Sequence, residues 1–202
     1  MRNRRAKPNS SPTAKAPSSQ LRIIGGEWRS RKVPFVAQDG LRPTHDRVRE
    51  TLFNWLQTQV PGAHCLDLFS GSGALGLEAL SRGAESMIFI EQSSVSASQL
   101  KANLNTLKCT SANVINGDAL QWLASQTCPT PIDIVFMDPP FNKDFTQRTC
   151  EALEAQGCLS QTAWIYVEVE KDLQWQPPIN WRCHREKVSG QVKFSLYQRT
   201  AT

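Results

Sequence analysis

The sequence predicts an α/β fold with a mostly parallel, seven-stranded sheet and a small amino-terminal extension. Two observations carry this prediction: from residue 63 onward short apolar runs alternate with helical stretches, and the last two strand-like runs are adjacent. Strands that alternate with helices of about 10–15 residues form βαβ units with a parallel sheet. The final two strands, joined through Ser189-Gly190, should close that sheet as an antiparallel hairpin.

The first 60 residues are predicted to lie outside the sheet. Residues 1–20 contain five basic residues, three prolines and no acidic residue, so we expect a disordered basic tail. Residues 21–60 are predicted to form an extension, with two short strands within 21–36 and a helix over 46–57. The main domain then comprises residues 61–202, and the whole length of 202 residues suits one domain with a small appendage.

Within the main domain, apolar runs and the spacing of apolar residues locate each element. The predicted strands are 64–69, 86–91, 112–117, 132–137 and 163–169, followed by the hairpin strands 181–188 and 191–199. The predicted helices are 74–82, 93–107, 119–126 and 144–156. In the second helix Leu100, Leu104 and Leu107 recur at the spacing that one buried helix face requires.

Charge is unevenly distributed along the chain. The net charge is +5, to which residues 1–20 contribute +5, residues 21–50 +3 and residues 51–202 −3. A basic segment on an acidic body favours a polyanionic partner, nucleic acid before a membrane. No apolar run approaches the roughly 20 residues of a membrane span. The six cysteines form no C-x-x-C pair, so we expect free thiols in the cytoplasm, no disulfide framework and no metal site.

A glycine-rich segment follows the first strand of the main domain, where the chain turns into a helix. Gly71, Gly73 and Gly76 match the G-x-G-x-x-G pattern, in which glycines let the backbone approach a ligand at a helix N-terminus. Glu91 lies 20 residues after Gly71, at the end of the second strand. These two features are also typical of a dinucleotide-dependent oxidoreductase, so the neighbouring residues must discriminate.

Acidic residues end three successive strands and favour a cationic ligand. Asp67 lies four residues before the first glycine, where its carboxylate would repel a pyrophosphate and attract a positive charge. S-adenosylmethionine carries a sulfonium and an ammonium group, while Glu91 could hold its diol and Asp118 its adenine amino group. Each acid could instead cap the helix that follows it, and for Asp118 alone this alternative stays open.

The segment Asp138-Pro139-Pro140-Phe141 follows the fourth strand, at the carboxyl edge where open parallel sheets bind ligands. Two prolines fix φ and remove two amide donors, which leaves a stiff turn with outward carbonyls. Asp138 and the Pro139 carbonyl can accept hydrogen bonds from an NH2 group, and Phe141 offers a flat face for a base. Such acceptors orient an exocyclic amine and stabilise its developing positive charge. The alternative is a rigid turn with a capping Asp138 and a core Phe141.

These motifs resemble the class I S-adenosylmethionine-dependent methyltransferases that modify exocyclic amines. More narrowly, residues 21–199 resemble the bacterial 16S rRNA guanine-N2 methyltransferase family of the RsmD type. The segments that carry the resemblance are Arg22–Arg29, Arg42–Thr44, Asp46–Trp55, Asp67–Leu80, Asp138–Phe141 and Arg185–Gln191. The amino-terminal segments distinguish this family from other enzymes with a related proline motif, and the tail 1–20 lies outside the resemblance.

The resemblance implies a Rossmann-like methyltransferase fold and methylation of one guanine N2 in 16S rRNA, within an assembled or assembling small ribosomal subunit. It implies S-adenosylmethionine as cofactor, no metal, a monomer, and extrusion of the target base. The expected catalytic residues are Asp138, Pro139, Pro140 and Phe141. The expected cofactor-binding residues are Asp67, Phe69, Ser70, Gly71, Gly73, Glu91, Gln92, Asp118, Ala119 and Asp138. The residues expected to contact RNA, by phosphate pairing and stacking, are Arg22, Trp28, Arg29, Arg31, Lys32 and Arg42.

Other functions remain open on the sequence alone. An adenine-N6 methyltransferase acting on DNA or RNA would use the same residues 138–141, but it would normally bring a separate base-recognition domain. Asp67 argues against a dinucleotide-dependent oxidoreductase, and the intact 138–141 motif argues against a non-catalytic RNA-binding protein. The basic residues of 21–36 could also form a solvated hairpin face without a partner.

Overall fold

The computed structural model describes residues 19–36, 46–125, 128, 130–140 and 143–200. Arg42 and Phe141, which the sequence predicts as site residues, lie outside these ranges. The predicted tail also lies outside them, except for Ser19 and Gln20, which belong to the first strand rather than to the tail.

The amino-terminal extension begins with two short strands, β1 (Ser19–Arg22) and β2 (Lys32–Phe35), as predicted. They pair antiparallel, with Arg22 opposite Lys32. The chain between them passes through Gly26, whose φ of 75° favours glycine. A Cβ atom at Gly26 would overlap the carbonyl group of Ser81, so the turn needs glycine for its contact with the main domain as well.

Among the described residues the main sheet contains seven strands, as predicted. They are β3 (His64–Asp67), β4 (Ser86–Glu91), β5 (Ala112–Asn116), β6 (Ile132–Met137), β7 (Leu159–Glu170), β8 (Trp181–Ser189) and β9 (Val192–Arg199). Their order across the sheet is β5-β4-β3-β6-β7-β9-β8. The first five strands are parallel, and β9 pairs antiparallel with β7 and β8. Strand β7 begins earlier than predicted, because Leu159 pairs with Ile132 across a register shift.

Helices cover both faces of this sheet. Within the described ranges they are α1 (Asp46–Trp55), α2 (Ala74–Ser81), α3 (Ser94–Leu107), α4 (Ala119–Ser125) and α5 (Lys143–Gln156). Phe53 of α1, Leu77 of α2 and Leu100 of α3 belong to one buried apolar cluster. Trp122 of α4 and Leu153 of α5 belong to a second cluster on the other face. None of these helices is long and apolar enough to cross a lipid bilayer.

A buried carboxylate joins the extension to the main domain. Glu78 of α2 is fully buried, and its two oxygens accept hydrogen bonds from the amides of Ile24 and Gly25, each at 2.8 Å. The same carboxylate pairs with Arg82 at 2.7 Å and with the buried Arg49 at 3.8 Å. Because Ile24 and Gly25 follow β1 directly, Glu78 fixes the hairpin to the helix layer. Glu78 was not among the residues predicted from the sequence to have a role.

Cys128 and Cys158 form a disulfide, which corrects the expectation of free thiols for these two residues. Their Cα atoms lie 5.5 Å apart although the residues are 30 positions apart in the chain. The spacing of cysteines could not reveal this pair, because α5 lies between them in sequence and the fold brings the two ends together. Among the other cysteines, the fully buried Cys65 is an example of a free thiol.

Candidate active site

The two motifs predicted to hold ligands lie at one edge of the sheet. Strand β3 is flanked by β4 on one side and by β6 on the other, so the strand order reverses its direction between β3 and β6. Ligands of open α/β sheets bind in the crevice at such a switch point. The glycine-rich loop follows β3 and the Asp138 segment follows β6, so the structure brings both to this crevice.

The glycine-rich loop has a backbone conformation that depends on its glycines. Gly71 and Gly73 have φ angles of 50° and 77°, in the left-handed region. The amide of Gly73 donates to the carbonyl of Ser70 at 2.6 Å, and α2 begins directly afterwards. A Cβ atom at Gly76 would overlap the ring of Phe89, so this glycine lets α2 pack closely against β4.

Glu91 ties the glycine-rich loop to the start of α3. Its Oε2 accepts a hydrogen bond from the amide of Gly71 and its Oε1 accepts one from the amide of Ser93, both at 2.7 Å. Burial raises the pKa of Glu91, and these two amides partly offset the rise. A carboxylate oxygen has a second lone pair, so Glu91 can support the loop and still accept a hydrogen bond from a ligand hydroxyl.

Asp67, at the end of β3, is a nearly fully buried carboxyl group beside the loop, at 3% exposure. The pKa of Asp67 is raised to about 7, and burial is the largest cause. Hydrogen bonds from the amides of Phe69 and Gly76 partly offset the effect of burial, and the nearby Glu91 adds to it. None of the ion pairs formed by the described residues involves Asp67. A positive charge next to this group would favour its ionised form, so the crevice favours a cation.

Asp138 follows β6 at the same crevice. Burial raises the pKa of Asp138 well above its usual range, and the carboxylates of Glu168 and Asp67 raise it further. Pro139 is buried and Pro140 is exposed, and both line a small cavity together with Glu168. Asp138 itself is half-buried, so the turn presents a partly desolvated acceptor at the point where the two halves of the sheet meet.

Glu168 is a further carboxylate of this crevice, and the sequence analysis missed it. It lies on β7 at 8% exposure, and the register of Val167 opposite Met137 places it beside Asp138. The hydroxyl of Tyr166 donates to Glu168 Oε2 at 2.8 Å. The signal was present, since acidic residues at strand ends identified the other positions, but Glu168 was counted as an interior residue of its predicted strand.

Asp118 follows β5 and caps the helix after it. Its Oδ1 accepts a hydrogen bond from the amide of Gln121 at 2.9 Å, at the start of α4. This confirms the capping alternative for Asp118, which stays half-buried at the same edge of the sheet. Gln92 is exposed beside it, and its carbonyl accepts a hydrogen bond from the side chain of Asn116 at 2.9 Å.

The structure buries Trp28, one of the residues predicted to contact RNA. Its side chain packs in the apolar cluster of α1 to α3 at 8% exposure, and its amide donates to Ser81 Oγ at 2.9 Å. The prediction of RNA stacking by this ring is therefore wrong for this conformation. The physical reason is that the hairpin cannot bury its own apolar residues, so it inserts them into the core of the main domain.

The basic residues of the hairpin spread over a long surface rather than gathering at the crevice. Arg31 donates to the carbonyl of Thr106, in the last turn of α3, at 3.1 Å. Because α3 starts at the carboxyl edge of the sheet and runs about 20 Å to the other edge, Arg31 lies far from the glycine-rich loop. Arg29 and Lys32 are exposed, and Arg22 is exposed but pairs with Asp46 at 3.1 Å.

The stability of the ligand-free protein should fall as pH rises from about 4 to about 7. Asp67 has a folded pKa of about 7, whereas an unfolded aspartate titrates near about 3.9. In this window the folded state binds more protons than the unfolded state, so stability falls by up to about 1.4 kcal/mol per pH unit. Asp67→Asn should flatten this dependence in urea unfolding. Asp172→Asn, at an exposed site, is the control; equal slopes in both variants would contradict the prediction.

Comparison with known proteins agrees with this geometry. Residues 21–198 match the family described as conserved hypothetical protein 95. The chain belongs to this family. One relative, the ribosomal RNA small subunit methyltransferase D of Escherichia coli (strain K12), is 53% identical over 186 residues, which cover 91% of this chain and 92% of the relative. The protein of the same name from Haemophilus influenzae is 47% identical over 189 residues, covering 93% and 96%.

Solved structures with the same architecture support the family assignment. The Escherichia coli protein yhhF, assigned as a methyltransferase, superposes with a TM-score of 0.84 at 52% identity, covering 91% of this chain and 100% of that chain. A Streptococcus mutans protein assigned as an S-adenosylmethionine-dependent methyltransferase gives a TM-score of 0.69 at 17% identity, covering 91% and 56%, which shows the fold alone. The predicted Rossmann-like class I methyltransferase fold is confirmed.

Proposed function

We propose that this protein transfers a methyl group from S-adenosylmethionine to the exocyclic N2 of a guanine in 16S rRNA. The observation that carries the proposal is the meeting of Asp67 and the glycine-rich loop with Asp138 in one crevice. An rRNA substrate is supported by relatives named ribosomal RNA small subunit methyltransferase D. The proposal includes a monomeric, cytoplasmic enzyme that acts on an assembled or assembling small ribosomal subunit.

S-adenosylmethionine fits the residues of the crevice better than a dinucleotide does. The buried carboxyl of Asp67 would be stabilised by an ammonium group, whereas a pyrophosphate would face Asp67, Glu91 and Asp138 together. Glu91 keeps lone pairs for the diol. Within the described ranges, no group of His, Cys, Asp or Glu side chains is arranged to hold a metal ion. The further residues proposed to contact the cofactor are Phe69, Ser70, Gly71, Gly73, Gln92, Asp118 and Ala119.

When bound, S-adenosylmethionine supplies the methyl group, and the protein orients the acceptor amine. The carboxylate of Asp138 and the carbonyl of Pro139 would accept hydrogen bonds from the two N–H groups of the amine, whose lone pair is otherwise delocalised into the base. As the amine gains positive charge, the half-buried Asp138 would stabilise it. Phe141 would stack on the extruded guanine. Arg22, Arg29, Arg31, Lys32 and Arg42 remain proposed phosphate contacts.

Methyl transfer from tritiated S-adenosylmethionine tests this function directly. The substrates are free 16S rRNA, protein-bound assembly intermediates and small subunits from a bacterial strain that lacks its own enzyme of this family. The RNA is then digested and the labelled nucleoside identified. N2-methylguanosine is the expected product. N6-methyladenosine would instead support the adenine-N6 alternative, and absence of label from all three substrates would exclude the proposal.

Removing the carboxylate of Glu91 should weaken cofactor binding. A hydrogen bond to a charged group is worth about 1.5–3 kcal/mol, so Glu91→Ala should lower the affinity for S-adenosylmethionine by roughly tenfold to a hundredfold. Loss of the bond to the Gly71 amide loosens the loop as well and acts in the same direction. Isothermal titration calorimetry measures the affinity, with the exposed Glu151→Ala as control. Equal affinity in the two variants would remove Glu91 from the cofactor site.

A further inference from the structure

We propose that one face of the edge strand β8 is an rRNA-binding surface that leads the target strand to the methylation crevice. This inference rests on the proposed function and adds a substrate contact to it. We name this surface the β8 basic face. Its residues are Arg182, His184, Arg185 and Lys187. None of them belongs to the hairpin that the sequence predicts to contact RNA.

Strand β8 is unusually exposed for a strand of the main sheet. It lies at the end of the sheet, and β9 is its one pairing partner within the part of the chain that the structure describes. Every residue from Arg182 to Ser189 is exposed, whereas the inner strands are covered by helices on both faces. On many edge strands, charged residues have the single role of preventing pairing with another sheet. The arrangement of the charges on β8 distinguishes that role from ligand binding.

The charges on β8 are separated by sign between its two faces. The Nζ of Lys187 lies 6.0 Å from the ring centroid of Trp55, which places the exposed Lys187 on the side of the sheet where α1 lies. Arg185, two residues away, shares that face. Glu186, between them, points to the opposite face, where its carboxylate accepts a hydrogen bond from Ser195 at 3.0 Å. The acid therefore lies on the other side of the strand from the basic residues.

A register shift adds a histidine to the same face. The pairing of β8 with β9 is irregular between Cys183 and Arg185, which leaves His184 as the extra residue of a bulge. The ring of His184 lies edge-on to Trp164, with centroids 5.0 Å apart. Trp164 packs against the same apolar cluster as the ring of Trp55, so His184 lies on the basic face. Bulges typically re-aim a side chain in this way.

The β8 basic face leads toward the crevice. Lys187 pairs with Phe194, which pairs with Glu168 of β7, so Lys187 is level with the carboxyl edge of the sheet. Neighbouring strands are about 4.8 Å apart, which puts Lys187 roughly 15 Å from Asp138 across three strand spacings. Arg182 pairs with Gln198, four residues along β9 from Phe194, and therefore lies about 14 Å further back along the strand. A phosphate backbone that follows β8 thus arrives beside the proposed base pocket.

The chemistry of the β8 basic face suits a single-stranded RNA segment. Arginine and lysine pair with phosphates. The half-buried rings of Trp55 and Trp164 lie beside Lys187 and His184, and aromatic rings next to basic groups are typical of surfaces that bind single strands. An acidic protein segment could also bind a basic strand, but it would have no reason to lead toward a pocket for a nucleobase. The occupant we propose is therefore rRNA on the approach to the extruded guanine.

Charge reversal on this strand tests the inference. The variant Arg185→Glu/Lys187→Glu is compared with the control Lys101→Glu/Lys108→Glu, which makes the same change in net charge. Both control positions are exposed: Lys101 lies on α3 and Lys108 directly follows it, toward the β5 side of the sheet rather than the β8 side. Affinity for unmethylated small subunits and for 16S rRNA is measured as a function of salt. Loss of two phosphate contacts should lower the slope of log K against log salt by about 1.4–1.8 relative to the control. Affinity for S-adenosylmethionine and the melting temperature should match those of the unmodified protein.

The outcomes separate this inference from the proposed function. If the unmodified protein methylates rRNA and the β8 variant binds with the same affinity and slope as the control, the β8 inference is wrong and the function stands. If the unmodified protein does not methylate or bind rRNA, both fail. Loss of binding to intact subunits but not to free rRNA would identify a ribosomal protein as the occupant and overturn the inference. The neutral variant Arg185→Gln/Lys187→Gln provides the same comparison if charge reversal lowers the melting temperature.

Discussion

Replacing Asp138 with alanine is expected to reduce the rate of methyl transfer by about 10²–10³, the usual effect of deleting one preorganised electrostatic partner. Asp138 follows β6 at the switch point of the sheet, where burial raises its pKa and where the Pro139-Pro140 turn holds it in place. An acceptor that the turn holds in position before the substrate binds needs little reorganisation when charge develops on the amine. Affinity for S-adenosylmethionine should change much less, because the role proposed for this carboxylate is to orient the amine of the base.

Three measurements on the same preparations distinguish catalysis from stability. Single-turnover methyl transfer, cofactor affinity and melting temperature are compared for Asp138→Ala, Asp138→Asn and the exposed control Asp172→Ala. Asparagine keeps one acceptor oxygen and should retain more activity than alanine. If Asp138 only stiffened the turn, activity would decline in proportion to the unfolded fraction. A folded and fully active Asp138→Ala enzyme would exclude the amine-orienting role.

Replacing Glu78 with alanine is expected to lower the free energy of unfolding by about 3–5 kcal/mol, as is usual when one partner of a buried ion pair is removed. The change leaves the amides of Ile24 and Gly25 without their acceptor. It also leaves the buried guanidinium of Arg49 without its buried counter-charge. For a protein of this size, each kcal/mol shifts the melting temperature by about 2–4 °C. The expected fall is therefore on the order of 10 °C.

Denaturant unfolding with a matched substitution checks this value. Glu85→Ala makes the same change at an exposed position three residues after Arg82. This control should alter the free energy of unfolding by less than about 0.5 kcal/mol. Glu78→Gln keeps an acceptor oxygen but loses the charge, so its stability should lie between those of the other two proteins. A loss below about 1 kcal/mol for Glu78→Ala would mean that the apolar residues of the hairpin suffice to hold the extension.

The sequence by itself determined the elements and the place of the motifs. Apolar runs and helical spacing depend on which residues neighbour each other along the chain, so the strands and helices could be located within a few residues. The alternation of strands and helices then determined the parallel sheet, because a helix that connects two neighbouring strands returns the chain to the edge where the first strand began. Since the carboxyl ends of parallel strands share one edge, Asp67, Glu91 and Asp138 could be placed together without any coordinates.

Only the tertiary structure decided which side chains are buried and which distant residues meet. The aromatic ring of Trp28 was predicted to lie at the surface, but it is buried in the core of the main domain. Glu78 is an unremarkable helix residue in the sequence, yet it holds the hairpin from more than 50 positions away. Glu168 lies beside Asp138 because the register of β7 against β6 pairs Val167 with Met137. Cys128 bonds to Cys158 because α5 returns the chain to the start of β6. These facts depend on contacts between segments far apart in the chain, which local periodicity does not encode.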